Sequence, residues 1–161
     1  MTDEPEIARR LAAIHERIRD ARDRVGLQSD IMLVAVSKTV PLESIRAAYN
    51  SGQRVFGENR VQEGAEKIAR ARTEMPDSTW HLIGHLQTNK AHPASEAFDV
   101  IESVDSLRLA ERLNREAERL ARRIPVLIEI NVAGEESKSG LSAAEFWDAA
   151  PGLMALPHLE I

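Results

Sequence analysis

One lysine lies where amine chemistry is expected, at the end of a predicted buried strand. Lys38 follows the six apolar residues of segment 31–36, with only Ser37 between them. Partial desolvation at such a strand end favours the neutral amine over the ammonium form. A neutral amine attacks an aldehyde or ketone to form a Schiff base, which an arginine side chain does not do. The structural alternative is a lysine whose methylene stem lies along the strand while its charged head reaches solvent.

The composition makes each lysine of this chain a candidate for a chemical role. Arginine supplies 17 of the 21 basic residues and lysine only 4, so sites that need only a positive charge mostly use arginine. The absence of cysteine from the sequence excludes a disulfide scaffold, a thiolate metal site and a cysteine nucleophile. A net charge of −5 and an aromatic content of 4% disfavour nucleic acid as a partner.

Polar residues also follow the other predicted strands, at the edge where ligands bind in parallel sheets. They are Gly57-Glu58-Asn59, His81, Gly84-His85, Glu102-Ser103 and Asn131. Glu58 is either a general base or a first-turn partner of the next helix dipole. His81 and His85 lack the glutamate of an HExxH motif and lie on a strand and turn, so no metal site is predicted. Neighbouring residues of a strand face opposite ways, so Ser37 and Lys38 are not predicted to form a catalytic dyad.

The hydrophobic periodicity predicts a regular alternation of helices and strands. The predicted strands are 31–36, 54–56, 80–83, 98–101, 125–130 and the start of a sixth at 158–161. The predicted helices are 5–25, 41–52, 60–72 and 86–91, with two more that begin after the N-caps Ser106 and Ser142. No segment has the character of a signal peptide or the length of a membrane span, so we expect a soluble cytoplasmic protein.

This alternation implies an α/β fold whose parallel strands are joined by right-handed crossovers. Two architectures satisfy it: an open doubly wound sheet and a (β/α)8 barrel. The absence of a GxGxxG motif after the first strand weighs against a dinucleotide-binding open sheet. A complete barrel typically needs about 250 residues, which is more than the 161 of this chain. The residue pattern alone leaves both architectures open.

Five motifs, taken in order, closely resemble one family. They are VAVSK at 34–38, FGEN at 56–59 followed by VQE at 61–63, WHLIGHLQTNK at 80–90, SVD at 103–105, and INV at 130–132 with KSG at 138–140. Together they resemble the pyridoxal-phosphate homeostasis protein family, also called the YggS or PROSC family, over essentially the whole chain. The resemblance implies one domain over residues 1–161, a (β/α)8 TIM barrel of the alanine racemase N-terminal type, which is fold type III of the pyridoxal-phosphate proteins.

The same resemblance implies a site for pyridoxal 5'-phosphate (PLP). Lys38 would hold PLP as an internal aldimine, Asn59 would lie beside the cofactor, and His81 and Ser103 would line its pocket. Lys138 would be a second, transient acceptor, or else an ordinary solvated loop lysine. Family members are regarded as carriers or regulators of vitamin B6 without established turnover. We therefore expect a role in intracellular PLP homeostasis, with PLP-dependent apo-enzymes as partners and no catalytic residue.

The resemblance also predicts an incomplete barrel, because residues 1–161 reach only strands one to five and the start of strand six. In the family, later turns hold the cofactor phosphate, so we expect a C-terminally truncated chain that binds PLP more weakly than a longer relative. Three other functions remain open. They are an amino-acid racemase-like PLP enzyme, a class I aldolase-type enzyme whose lysine reacts with a substrate carbonyl, and an interaction module that binds neither.

Overall fold

The computed structural model describes residues 4–135 and 138–161, in which helices and strands alternate. The strands are β1 (Ala35–Val36), β2 (Val55–Glu58), β3 (Thr79–Leu82), β4 (Val100–Val104), β5 (Ile124–Ile128) and β6 (Leu159–Glu160). The helices are α1 (Glu4–Arg24), α2 (Leu42–Asn50), α3 (Val61–Glu74), α4 (Ala91–Ala97), α5 (Leu107–Arg119) and α6 (Ala143–Met154). None of the helices in these ranges is long and apolar enough to cross a membrane.

The six strands form one sheet in the order in which they occur along the chain, and every neighbouring pair is parallel. A doubly wound sheet reverses its strand order at a switch point, whereas successive strands of a (β/α)8 barrel lie side by side. The sequential order therefore confirms the predicted barrel architecture and rejects the open doubly wound sheet. The chain forms a partial barrel made of the first six strands.

The main core lies between the outer face of the sheet and the helices that cover it. Phe56, Trp80, Leu82 and Ile101 are at most 1% exposed, and the rings of Phe56 and Trp80 lie 5.2 Å apart. Helix α5 packs against this layer through Leu113, which is fully buried. Because side chains alternate along a strand, the residues between these positions face the barrel interior. The packed outer layer fixes the strand register, so the carboxyl ends of the strands meet at one edge.

The first strand is shorter than its prediction. The apolar run 31–36 predicts a strand covered on both faces, but only Ala35–Val36 pair with β2, and Ile31 and Met32 are exposed. Strand β1 lies at an edge of the sheet, so it has a hydrogen-bonded neighbour on one side only. The apolar run therefore indicated the presence of a strand correctly, but its extent and its double coverage were wrong.

The helix predicted at 86–91 also differs in the structure. A short 3₁₀ turn occupies Thr88–Lys90, and α4 then runs from Ala91 to Ala97. Pro93 is the third residue of α4. In the first turn of a helix a residue without an N–H is tolerated, because that N–H has no partner within the helix. Pro93 therefore does not end the helix, and the element extends toward β4.

Candidate functional site

The end of β1 places Ser37 and Lys38 on opposite sides of the sheet. Ser37 is buried on the helix side, where its hydroxyl donates to the Glu58 carboxylate over 2.7 Å. Lys38 is exposed and lies on the side of Val36, which is the interior of the partial barrel. Its Nζ atom has no hydrogen-bond or ion-pair partner among the residues that the structure describes. The two residues form no dyad, and the amine of Lys38 is accessible at the carboxyl edge of the sheet.

Asn59 occupies the neighbouring position on the same edge. It lies two residues beyond Gly57, and Gly57 pairs with Val36, which lies two residues before Lys38. The register therefore brings Asn59 and Lys38 to the same level of the barrel. A cavity of about 220 Å³ opens beside Asn59, with Lys90 among its lining residues. This half-buried amide is the polar group nearest in register to the Lys38 amine.

Gly84 and Ser103 lie close to the backbone of Asn59. A Cβ atom at residue 84 would lie 2.3 Å from the carbonyl oxygen of Asn59, so only glycine allows this approach. The hydroxyl of Ser103 donates to the carbonyl oxygen of Gly84 over 2.7 Å. Ser103 is only 3% exposed. The resemblance predicts Ser103 as a pocket-lining residue, and in the structure its hydroxyl binds the carbonyl oxygen of Gly84, a residue that lies close to the backbone of Asn59.

His81 lies deeper in the barrel, on β3, and is 5% exposed. Its Nδ1 atom lies 2.5 Å from Oε1 of Glu102, which belongs to the neighbouring strand β4. That bond fixes the orientation of the imidazole ring. The second ring nitrogen, Nε2, is buried and has no partner within residues 4–135 and 138–161. The site therefore contains one histidine of fixed orientation, whose Nε2 atom has no hydrogen-bond partner among the described residues.

The second histidine of the HxxxH pattern has a different partner. Nδ1 of His85 lies 3.1 Å from Asp105, so the two histidines bind separate carboxylates instead of converging. In the described part of the chain, no group of three His, Cys, Asp or Glu side chains is arranged to hold a metal ion.

Lys138 lies beyond β5, at the same edge of the sheet but four strands away from Lys38. Its Nζ atom pairs with the Glu135 carboxylate over 2.7 Å. The amide of Asn131 donates to the carbonyl oxygens of Glu135 and Lys138, over 2.9 and 3.4 Å. Asn131 and Lys138 are among the residues that line a cavity of about 450 Å³. Lys38 and Lys138 are thus not brought into contact.

Glu58 does not face the barrel interior. It is fully buried on the helix side, where its carboxylate binds Lys67 of α3 over 2.6 Å. Both sequence interpretations of Glu58 are therefore wrong. It is neither a general base in the pocket nor a first-turn dipole partner, because its carboxylate forms an ion pair with Lys67 between the sheet and α3. Lys67 is the functional candidate that the sequence did not reveal. The available signal was its rarity, since it is the only one of the 4 lysines outside the five motifs.

Comparison with known proteins shows which family this chain resembles in sequence. Residues 10–161 match the family described as alanine racemase, N-terminal domain. The chain is 42% identical to the pyridoxal phosphate homeostasis protein of Pasteurella multocida, over 95% of this chain and 66% of that protein. It is 41% identical to the protein of the same name from Escherichia coli K12, over 97% of this chain and 68% of that protein.

Solved structures give the same result. PipY of Synechococcus elongatus, without PLP, superposes with a TM-score of 0.86 at 42% identity. PipY with PLP bound superposes with a TM-score of 0.81 at 43% identity, and each comparison covers 96% of this chain and 67% of PipY. The chain thus spans about two thirds of the length of these relatives. The chain belongs to the pyridoxal phosphate homeostasis protein family, and its partial barrel is of the alanine racemase N-terminal type.

Proposed function

We propose that this chain binds PLP through Lys38 and takes part in intracellular PLP homeostasis, with PLP-dependent apo-enzymes as recipients. One observation carries the proposal. The Lys38 amine is accessible, and without a partner among the described residues, on the inner face of a partial barrel that is 43% identical to PipY, a protein with PLP bound. A lysine in that position is not needed for ion pairing, so its amine is available for reaction with a carbonyl.

The neighbouring side chains fit a cofactor with a polar aromatic ring. PLP supplies an aldehyde carbon that a lysine amine attacks and a ring that withdraws electrons from that carbon. Asn59, level with Lys38, provides an amide that both donates and accepts hydrogen bonds. His81 is held by Glu102 and keeps one nitrogen without a hydrogen-bond partner among the described residues. Ser103 binds the carbonyl oxygen of Gly84, which lies beside Asn59. We propose that Lys38, Asn59, His81 and Ser103 form the cofactor site, in one domain over residues 1–161.

Chemical trapping identifies the lysine that reacts. The chain is incubated with PLP, reduced with borohydride and digested with trypsin, which does not cleave after a modified lysine. Modification of Lys38 yields a pyridoxyl-bearing peptide of residues 25–46, whereas the unmodified chain yields residues 25–38. We expect the adduct on this peptide in the wild type and its loss in K38A. Modification of Lys138 yields residues 124–161 and would identify that residue as a second acceptor.

The control is R70M, which removes a positive charge at an exposed position of α3 and leaves the tryptic peptide 25–46 unchanged. We expect this variant to form the Lys38 adduct to the wild-type extent. A wild-type digest in which peptide 25–46 carries no pyridoxyl group would refute the proposal. The aldolase-type alternative predicts instead that this peptide traps a sugar carbonyl in preference to PLP, and the racemase-like alternative predicts exchange of an amino-acid α-proton with solvent deuterium.

A further inference from the structure

Four side chains form a polar network beside Lys38, on the helix side of the sheet, of which Glu63 is 34% exposed. We call Ser37, Glu58, Glu63 and Lys67 the Lys67 cluster. Lys67 Nζ donates to a Glu58 carboxylate oxygen over 2.6 Å and to the Ser37 carbonyl oxygen over 2.8 Å, and it lies 3.4 Å from a Glu63 carboxylate oxygen. Glu58 is fully buried and the Lys67 side chain is only 11% exposed, so water competes little for these bonds.

The Lys67 cluster holds the backbone on both sides of Lys38. On one side Lys67 binds the Ser37 carbonyl, and on the other side Glu63 accepts the Thr39 N–H over 2.8 Å. Thr39 has a φ of 60°, a left-handed conformation that is unfavourable for a residue with a side chain. Bonds from α3 therefore stabilise a backbone geometry that the local sequence disfavours. The Thr39 N–H also holds the pKa of Glu63 below its ordinary value, which keeps this acceptor charged.

A glycine allows α3 to come this close to the sheet. Gly64 lies between Glu63 and Lys67, and a Cβ atom there would lie 2.5 Å from the Phe98 ring and 3.2 Å from Cβ of Glu58. Glycine is unfavourable inside a helix, so its presence here marks an approach that no other residue permits. The close contact between α3 and β2 brings Glu63 and Lys67 within reach of residues 37 and 39.

We propose that Lys67 is a positioning residue, which keeps Lys38 on the inner face of the barrel, where its amine meets PLP. This inference rests on the proposed function. Lys67 acts through Ser37 and Glu58 and lies on the opposite side of the sheet from the Lys38 amine. Three oxygen atoms from three residues converge on its compact ammonium group, which has three donors, whereas a planar guanidinium does not match that arrangement. This explains a lysine here in a chain rich in arginine.

The test compares two variants with two matched controls on the same helix. E58Q/K67M removes both charges of the buried pair together, so no charge is left uncompensated, while the substituted residue 58 still accepts from Ser37. E63A removes the acceptor of the Thr39 N–H. The control E66A makes the same charge change as E63A, and the control R70M removes one positive charge, as the change at residue 67 does, both at exposed positions of α3.

Two quantities are measured on chains shown by urea unfolding to be fully folded. The first is the dissociation constant for PLP, from the visible absorption of the bound cofactor. The second is the hydrogen-exchange rate of the Thr39 amide relative to that of Asp99, whose N–H is bound to the remote Trp80 carbonyl. We expect E58Q/K67M to weaken PLP binding about tenfold or more, and E63A to accelerate Thr39 exchange about tenfold or more. We expect R70M and E66A to match the wild type in both.

The outcomes separate the two proposals. Wild-type affinity for PLP in E58Q/K67M overturns the positioning role of Lys67. Failure of the wild-type chain to bind PLP overturns the proposed function. The exchange measurement then tests by itself whether Glu63 stabilises the backbone at Thr39. Faster exchange of the Thr39 amide in E63A but not in E66A supports this stabilisation by Glu63, and an unchanged exchange rate in E63A refutes it.

Discussion

Two glutamates in the described part of the chain are completely buried, and the structure pairs them in different ways. Glu58, at the end of β2, has one cationic partner among the described residues, which is Lys67, whose side chain is 11% exposed. Glu116, on α5, lies within 3.4 Å of three basic side chains, which are Arg112, Arg119 and His92. The same chemical group is thus buried once with one partner and once with several.

The Lys67 cluster and the group formed by Glu116 and its three basic partners, which we call the Glu116 cluster, also differ in which parts of the structure they stabilise. The partners of Glu116 are between 36% and 68% exposed, and His92 connects α4 to α5. Loss of one of them leaves two, so this cluster is redundant and serves the packing of the helices. Lys67 has no substitute and also bonds the backbone next to Lys38. We therefore expect changes near Glu58 to affect both stability and the site, and changes near Glu116 to affect stability alone.

The largest expected difference is between K67M and R112M. K67M leaves the Glu58 carboxylate buried without a cation, so we expect it to lower the free energy of unfolding by about 3–5 kcal/mol. R112M leaves Arg119 and His92 beside Glu116 and removes a side chain that is 36% exposed, so we expect a loss of about 1 kcal/mol or less. Urea unfolding at neutral pH measures both losses.

The double variant E58Q/K67M is the control for this prediction, because it removes the unpaired charge. We expect it to recover most of the stability that K67M loses. Equal losses of unfolding free energy in K67M and R112M would contradict the inference that Glu116 has interchangeable partners and Glu58 does not. A double variant as unstable as K67M would show that the destabilisation does not come from the unpaired charge of Glu58.

The next largest effect concerns the glycine that brings α3 onto β2. In G64A the new methyl group meets the buried Phe98 ring, and we expect a net loss of about 1–3 kcal/mol after a gain in helix propensity of about 1 kcal/mol. Faster exchange of the Thr39 amide should accompany it, because α3 must move away from Glu58. G152A is the matched control in α6, where a Cβ would meet only the flexible end of Leu107 at 3.0 Å. We expect G152A to change the unfolding free energy by less than about 1 kcal/mol in urea and to leave Thr39 exchange unchanged.

The features that sequence reasoning predicted are those set by local chemistry. Ser106 accepts the Leu109 N–H, and Ser142 forms a capping box with Glu145, as their positions before apolar helices indicated. The parallel direction of the strands followed from the regular alternation of helices and strands. The location of Lys38 at the end of the first strand followed from the apolar run before it. Each of these inferences uses residues that are close in the chain.

The features that sequence reasoning missed depend on contacts between distant elements. Lys67 meets Glu58 because of the approach that Gly64 permits, and nothing in the local pattern of α3 shows this contact. His81 meets Glu102 only through the register of β3 against β4. Periodicity assigns residues to a face, but it does not state which residue of another element lies opposite. Half of the candidate site, the part that orients Lys38 and His81, was therefore not visible in the sequence.

The smallest expected effect is the pH dependence of the stability that the Glu116 carboxylate contributes. Burial alone raises the pKa of Glu116, but the hydrogen bond from His92 and the charges of Arg112 and Arg119 outweigh it and hold the pKa below the ordinary value of 4.5. A carboxyl group with a lower pKa in the folded state binds protons more readily when the chain unfolds. Its stabilising effect is therefore fully present above pH 4.5 and is lost as the pH falls through the folded-state pKa.

We therefore expect E116Q to be less stable than the wild type near neutral pH, and the gap to narrow as the pH is lowered below 4.5. Urea unfolding of both chains over a series of pH values measures the gap, and E118Q, which changes an exposed glutamate of α5, is the matched control. The effect should be smaller than those of K67M and G64A, because the partly exposed cations are screened by solvent. A gap that stays constant with pH would mean that the three partners do not hold the charge of Glu116. In that case redundancy would not distinguish the two buried glutamates, and only the backbone contact of Lys67 would set them apart.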